Sequence, residues 1–311
     1  MDVISARRSF TMNPISEFNF ISWAQKQIGD DPSVLLPSGD DTAILKTTNK
    51  TAFTTDALVD QVHFDLQTQR PSDIGQKAIN VNVSDIASMG MQPSHCVITF
   101  CVPHNLSQQK LKAIFNGMIK ACRQSQLSIV GGDFTRSPKA LMINVAMTGR
   151  LIKKNTQPLT RSGAKIGDSI FVTGSLGGSI TGKHLRFKPR LLEVKELLKL
   201  GNPTSMIDIS DGLSSELHHI CKQSKVGSKI FCEQIPIANK NTNTLDNALN
   251  DGEDFELLFT ADAKLTKKID NNWTLKTKLT KIGEICHKSN GIKLFKHNQY
   301  LHKLPAKGWC H

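Results

Sequence analysis

The stretch M-I-D-I-S-D-G-L-S-S-E-L-H-H-I, residues 206–220, decides how this chain is read. It begins as an apolar strand, ends as a helix, and places two carboxylates, Asp208 and Asp211, at the join. A strand that passes through a carboxylate-bearing turn into a helix is an α/β unit, and ligand sites of α/β proteins collect on such turns at sheet edges.

Working outward, the same organisation recurs. P-S-V-L-L-P, T-A-F-T-T, S-H-C-V-I-T-F-C-V, L-S-I-V-G-G and A-L-M-I-N-V-A-M-T-G are short apolar or alternating runs bounded by Gly, Pro or Asp, which predicts strands. Between them, 71–89 and 105–126 carry apolar residues at helical spacing, the second with Asn105 or Ser107 as N-cap and Leu111, Ile114, Phe115, Met118 and Ile119 following at threes and fours. A polar stretch marked by Gly and Pro, residues 153–168, is the expected boundary. Beyond it S-I-F-V-T-G, D-G-L-S-S-E-L-H-H-I-C-K-Q and G-S-K-I-F-C-E-Q-I-P-I resume the strand and helix pattern.

The aspartates fall into register with this reading. Asp40 and Asp41 follow P-S-V-L-L-P-S-G, Asp56 follows T-A-F-T-T, Asp133 follows S-I-V-G-G, and Asp208 and Asp211 follow T-S-M-I, so at least four expected strand ends finish in Asp. One Asp before Gly is more often a turn or a helix cap than a ligand; the recurrence is what points to chemistry. Carboxylates gathered at one place repel one another unless cations lie between them. Hard divalent cations take oxygen ligands, and Mg²⁺ is held by a few carboxylates, waters and substrate phosphates, an arrangement suited to phosphoryl transfer.

Composition limits the alternatives. A chain of 311 residues suggests two domains of about 150 residues each. No run of about 18 apolar residues is available to span a bilayer, and the Arg7-Arg8 pair near the start has no apolar run behind it, which predicts neither a membrane partner nor a signal peptide. The 7 cysteines are scattered without C-x-x-C spacing, which suggests a reducing cytoplasmic setting and no zinc site. Net charge is +12, but residues 261–311 hold eleven lysines against three acidic residues, a surplus of 8, spread through alternating strand-like runs. That is the pattern of a solvated face, so no nucleic-acid partner is expected. Neither G-x-x-x-x-G-K-[ST] nor a strand followed by G-x-G-x-x-G is present. The Gly-rich V-T-G-S-L-G-G-S, residues 172–179, is either a phosphate cradle or, more simply, a tight turn.

Taken in order, S-G-D-D-T-A-I-L (38–45), T-T-D-A-L-V-D-Q-V-H-F (54–64), A-I-N-V-N-V-S-D-I-A-S-M-G-M-Q-P (78–93), G-G-D-F-T-R (131–136), L-T-R-S-G-A-K-I-G-D (159–168), D-I-S-D-G-L (208–213) and G-E-D-F-E-L (252–257) resemble the thiamine-monophosphate kinase family. The likeness runs from about residue 16 to the end, within the superfamily of aminoimidazole ribonucleotide synthetase and selenophosphate synthetase. The resemblance implies an α/β fold of α+β type with three parts: an extension over 1–15, an N-terminal sheet-helix domain over 16–150 for ATP, Mg²⁺ and dimerisation, and a mixed α/β C-terminal domain over 151–311. It implies ATP-dependent conversion of thiamine monophosphate to thiamine diphosphate by direct in-line transfer in a homodimer, with no covalent nucleophile. Asp41, Thr54, Thr55, Asp56, Asp85, Asp133, Asp208 and Asp211 would hold several Mg²⁺ ions, with Asp40 one step behind. Gly132, Asp133, Arg161 and Ser210 match nucleotide-contacting positions. His63, Glu253 and Trp309 match positions that hold the thiamine part. The rival readings are a superfamily member with another acceptor and a nucleotide- or RNA-binding protein without turnover. The chain departs from the family pattern in a shortened segment over 175–203, in Asp251 where Gly commonly precedes G-E-D, and in its ending Trp309-Cys310-His311.

Overall fold

The structure, a computed structural model, describes residues 20, 23–29, 31–36, 44–45, 50–153 and 157–308. Asp40, Asp41 and Trp309 lie outside the described residues, as does the whole of the expected N-terminal extension. Strands β1 (Val34–Leu36) and β2 (Ile44–Leu45) form a small antiparallel pair ahead of two larger sheets.

The first large sheet has four strands: β3 (Thr51–Val59), β4 (Met91–Pro103), β5 (Ser128–Ser137) and β6 (Met142–Leu151), in the order β3-β6-β4-β5. β6 pairs antiparallel with both β3 and β4, while β4 and β5 run parallel. Two helices, α1 (Pro71–Ser88) and α2 (Gln108–Ser125), supply the apolar cover for one face. α1 opens with Pro at its first position, where a missing N–H costs nothing, and the Ser107 hydroxyl caps α2 by accepting from the Lys110 amide at 3.3 Å. The helices approach so closely that a Cβ on Gly75 would stand 1.9 Å from the Ile114 carbonyl, and one on Gly117 2.0 Å from that of Ser72.

The second sheet has seven strands: β7 (Ser169–Thr173), β8 (Ser205–Asp208), β9 (Gly227–Phe231), β10 (Leu257–Ala261), β11 (Leu279–Cys286), β12 (Ile292–Lys296) and β13 (Gln299–Lys303). Their order is β13-β12-β9-β11-β7-β10-β8. β7 and β10 are buried at every position because both faces are covered, and such strands read as continuous apolar runs. One face receives α5 (Leu213–Ser224) and α6 (Leu245–Asn250), and the other α4 (Leu191–Leu200) and α7 (Ala263–Asn272). A short helix α3 (Lys183–Arg186) lies apart, against α1.

Two expectations change. Asp56 and Asp133 do not end their strands: each lies inside a long strand that continues past it. The lysine-rich C-terminal stretch is not all strand, because residues 263–272 form α7, capped by the Asp262 carboxylate and anchored by buried Leu265 and Ile269 one helical turn apart.

Candidate active-site cleft

Alternation along β3 sets the site. Thr54, Asp56 and Leu58 turn toward α1, while Phe53, Thr55 and Ala57 turn to the exposed opposite face. The Thr54 hydroxyl donates to Asp85 Oδ2 of α1 at 2.5 Å. One residue earlier on the helix, the Ser84 hydroxyl donates at 2.6 Å to Asp208 Oδ2 at the end of β8. The last turns of α1 therefore bring a carboxylate of the first sheet, one of the helix and one of the second sheet to a single junction.

That junction is hostile to negative charge. Burial, followed by the Asp85 charge, pushes Asp56 up to about 7, with Glu253 adding to the effect. Burial and then Asp85 push Asp208, which is 5% exposed, up to about 8 against the pull of the Ser84 hydroxyl. Asp85 is raised by burial, with the Thr54 and Asp56 contacts and the Arg161 charge drawing it back. Among the described residues Asp56 Oδ2 is buried without a hydrogen-bond partner. An orphaned carboxylate oxygen beside two further buried carboxylates fits a hard cation. Among the described residues no three acidic, imidazole or thiol side chains converge tightly enough to enclose an ion by themselves. The donor set thus suits a metal completed by water and ligand oxygens, which is how Mg²⁺ is usually held.

A cleft of about 670 Å³, counting the space open to solvent, extends from this junction and is lined by Asp56, Asp85, Ser210, Asp211, His63 and Glu253, with Phe255 and Val81 as apolar wall. The D-G-L turn is fixed by Glu216 in the first turn of α5, whose Oε1 accepts from the Asp211 amide at 3.1 Å and the Ser210 hydroxyl at 3.4 Å. Burial raises Glu216 to about 7, with the Asp211 charge adding to the effect and Arg161 opposing it. The Gly308 backbone packs on Asp211, where an added Cβ would meet the Asp211 carbonyl at 2.6 Å. The chain therefore reaches the rim of the cleft one residue before Trp309.

The acidic run after Gly252 divides its labour. Glu253 faces the cleft. Asp254 accepts from the Gly177 amide at 2.9 Å and from the Ser179 hydroxyl, and Glu256 is forked by Arg190 with two contacts of 2.6 Å. Asp251 accepts from the Gly178 amide at 3.0 Å. Two amides of the Gly-rich loop are thus taken by carboxylates, so the loop is a tight turn fastened to residues 251–254 and not a phosphate cradle. The shortened segment that follows crosses to α1: Arg186 pairs with Asp73 at 2.8 Å, and Asn80 donates to the Phe187 carbonyl at 3.1 Å. Phe187 stacks on Phe255, with centroids 4.1 Å apart, behind the cleft wall.

Of the residues expected from sequence, Thr54, Asp56, Asp85, Asp208, Ser210, Asp211, His63 and Glu253 come together here, and the Arg161 charge is felt by Asp85 and Glu216. Thr55, Gly132 and Asp133 do not. Thr55 and Asp133 occupy the exposed face of the first sheet, where Thr55 accepts from Asn144 at 3.0 Å and Asp133 lies opposite Thr99, and Gly132 lies on the edge strand β5 opposite Ile98. Two strands separate β3 from β5, which is roughly 14 Å at ordinary strand spacing. Gly132 is glycine for a packing reason, since a Cβ there would stand 2.0 Å from the Ile98 carbonyl. Sequence reasoning missed Ser84, Glu216, Lys77 and His184. The first three lie on helices the sequence marks, Ser84 and Lys77 on α1 and Glu216 on α5, but nothing in the spacing sets them apart from the other polar residues there.

Residues 39–151 match the family model described as AIR synthase related protein, N-terminal domain. A thiamine-monophosphate kinase of Rhodopirellula baltica is 31% identical over 313 residues, covering 95% of this chain and 97% of its own. The chain belongs to the thiamine-monophosphate kinase family. A crystal structure of the Stenotrophomonas maltophilia member superposes with a TM-score of 0.76 at 29% identity, covering 92% of this chain and 98% of that one. A second, described as AaThiL complexed with AMPPCP and TMP, gives 0.72 at 30% identity over 97% and 99% of the two chains. The family fold is therefore the mixed α/β, aminoimidazole-ribonucleotide-synthetase-like one expected from the sequence. Among the described residues no helix is long and apolar enough to cross a membrane.

Proposed function

We propose that this protein transfers the γ-phosphoryl group of ATP to thiamine monophosphate, forming thiamine diphosphate and ADP. The observation that carries the reading is the junction of Asp56, Asp85 and Asp208. Three carboxylates raised by burial, Asp56 and Asp208 also by the Asp85 charge, and one with an orphaned oxygen, open on a cleft that Glu253 and Phe255 also line. Family membership, and a relative crystallised with AMPPCP and TMP, support the same substrates here.

The residues then divide as follows. Asp56, Asp85, Asp208 and Asp211, with Thr54, would hold Mg²⁺, and Asp41 would join them. Bound Mg²⁺ would screen the two phosphate groups from each other and draw charge from the γ-phosphoryl oxygens. Arg161 and Ser210 would steady the ATP phosphates, the guanidinium by its two-pronged fit to phosphate oxygens. Along the same cleft Glu253, His63 and Trp309 would hold the thiamine part: a carboxylate and aromatic faces suit a cationic thiazolium and a flat pyrimidine. An oxygen of the acceptor phosphate bonds to the γ-phosphorus while the bond to the β–γ bridging oxygen breaks, and ADP leaves. No general base is required, because a phosphate monoester is already largely ionised at neutral pH.

We propose further that the division near residues 150–151 separates an N-terminal unit for ATP, Mg²⁺ and dimerisation from a C-terminal unit, and that the working form is a cytoplasmic homodimer. The outer face of the first sheet supports a partner: among the described residues nothing covers it, and Phe53 and Val97 on it are 79% and 40% exposed. Incubation with ATP, Mg²⁺ and thiamine monophosphate should yield ADP and thiamine diphosphate in equal amounts, with no product in a chelator. Absence of turnover on thiamine monophosphate, with turnover on another acceptor, would move the chain to another activity of the same superfamily.

A further inference from the structure

Lys77 is among the largest fully buried side chains of the described residues, in the second turn of α1, at 0% exposure. An ammonium has three N–H donors and is strongly destabilised by burial unless each finds a partner. Lys77 finds three. Its Nζ donates to the His63 carbonyl at 2.8 Å, to Glu253 Oε2, and stands 3.0 Å from His184 Nδ1. His184, 2% exposed, also brings Nδ1 within 3.3 Å of the same Glu253 oxygen. One buried cation thus grips both described residues assigned above to the thiamine part, His63 through its backbone and Glu253 through its carboxylate.

The backbone at Glu253 needs such a grip. Glu253 and Phe255 have φ of 57° and 49°, in the left-handed region that side-chain-bearing residues adopt at a cost, and Gly252 before them has 73°. Strained conformations of this kind persist where neighbouring groups over-determine them. Here the turn is held from one side by Asp254 on the Gly177 amide and from the other by Lys77 and His184 on Glu253. Burial alone would raise Glu253, yet the His184 and Lys77 contacts leave it lowered, so the group facing the cleft is a fixed carboxylate and not a neutral acid.

We infer that Lys77 and His184 are positioning residues for acceptor specificity: they lock Glu253 as an oriented anion, and His63 beside it, in the part of the cleft that takes a cationic ring. The inference rests on the proposed kinase reading. It predicts a split between the two substrates, because Lys77 touches the residues assigned to the acceptor and none of the carboxylates at the metal junction.

The test is steady-state kinetics on purified full-length Lys77→Met, His184→Ala, His184→Asn, Glu253→Gln and the Lys77→Met/Glu253→Gln double variant. Lys77→Met should raise KM for thiamine monophosphate at least tenfold and change KM for ATP less than about twofold. The double variant should be no worse than Glu253→Gln alone within about twofold, since both changes remove one device. His184→Ala should raise the same KM about threefold or more, and His184→Asn, which keeps a polar atom near the Nδ1 position, should restore most of it. A folded Lys77→Met with unchanged KM for the acceptor, equal rises in both KM values, or multiplicative effects in the double variant would each overturn the inference. Should Lys77→Met fail to fold, the His184 pair carries the same split. A wild-type protein inactive on thiamine monophosphate overturns the kinase reading and this one together, whereas an active wild type with an unaltered Lys77→Met overturns the positioning role alone.

Discussion

Asp208 shows at the scale of one residue how stability and function pull apart. Its carboxylate is buried, hydrogen-bonded to Ser84, and repelled by Asp85, Glu216 and Asp56 in turn. An uncharged amide of the same shape would still accept the Ser84 hydrogen bond and would remove the repulsion. Asp208→Asn should therefore melt at a higher temperature than wild type in metal-free buffer near neutral pH, while turnover falls below about a tenth of wild type at saturating Mg²⁺, because a lost metal ligand removes several kcal/mol of transition-state stabilisation. A thermal melt in chelator and an assay of the same preparation check both halves. Mg²⁺ alone should raise the melting temperature of the wild type and leave that of Asp208→Asn nearly unmoved. Retained turnover in the variant would show that Asp208 is structural.

Helix α1 is the element that assembles the site, and it was half legible. Its apolar positions predicted the helix, and Asp85 was placed on it through the family likeness. Less obvious is the stripe of Asp73, Lys77, Asn80 and Ser84, polar residues at steps of three and four that all turn toward the second half of the chain. The stripe keeps helical spacing but is not set apart by it from the other polar residues of α1, and its partners, Arg186, Glu253, the Phe187 carbonyl and Asp208, were out of reach of spacing because they lie more than a hundred residues downstream. The strand-end rule failed at Asp56 and Asp133 because each carboxylate interrupts a strand that resumes beyond it, β3 as Ala57, Leu58 and Val59 and β5 as Phe134 to Ser137, so a polar residue inside a strand read as its end. α7 escaped because its apolar face is only Leu265 and Ile269 among lysines. A second cluster at this scale is testable. Asp31 accepts from the Ser33 hydroxyl at 2.6 Å and from Ser128 on β5, and Ser33 stands 2.6 Å from His95 on β4, so the segment before β1 is tied to the edge of the first sheet. Burial would raise Asp31, but the Ser128 and Ser33 hydrogen bonds and the His95 charge bring it down to about 2. A carboxyl with a lowered folded value stabilises above its unfolded value near 4, and that contribution is lost as pH falls toward 2. Asp31→Asn should lower the melting temperature at pH 7 and make little difference near pH 2. An equal loss at both pH values would show that the charge is irrelevant.

On the scale of the whole molecule, a single chain does not hold all of the expected acidic residues in one place. Asp56 faces α1 from one edge strand of the first sheet, and Asp133 stands on the opposite face of the other edge strand. If both serve one nucleotide site, the proposed homodimer supplies the route: Asp133 would come from a second copy packed on the open face that carries Phe53, Thr55 and Val97. An interface of two-fold symmetry gives each chain what it gives its partner, so two such sites form per dimer. This leads to a complementation experiment. Asp56→Asn and Asp133→Asn should each be inactive as homodimers. Co-expressed, they form mixed dimers in which one site carries both substitutions and the other carries neither. With random pairing about half of the dimers are mixed, each with one intact site, so the mixture should recover about a quarter of wild-type turnover. If Asp56 and Asp133 of the same chain acted together, every site in the mixed dimer would carry one substitution and no activity would return. Co-expression with differently tagged chains, tandem purification of the mixed species and assay with ATP and thiamine monophosphate separates the two arrangements, and a purified mixed dimer as inactive as its parents would remove Asp133 of the partner from the site.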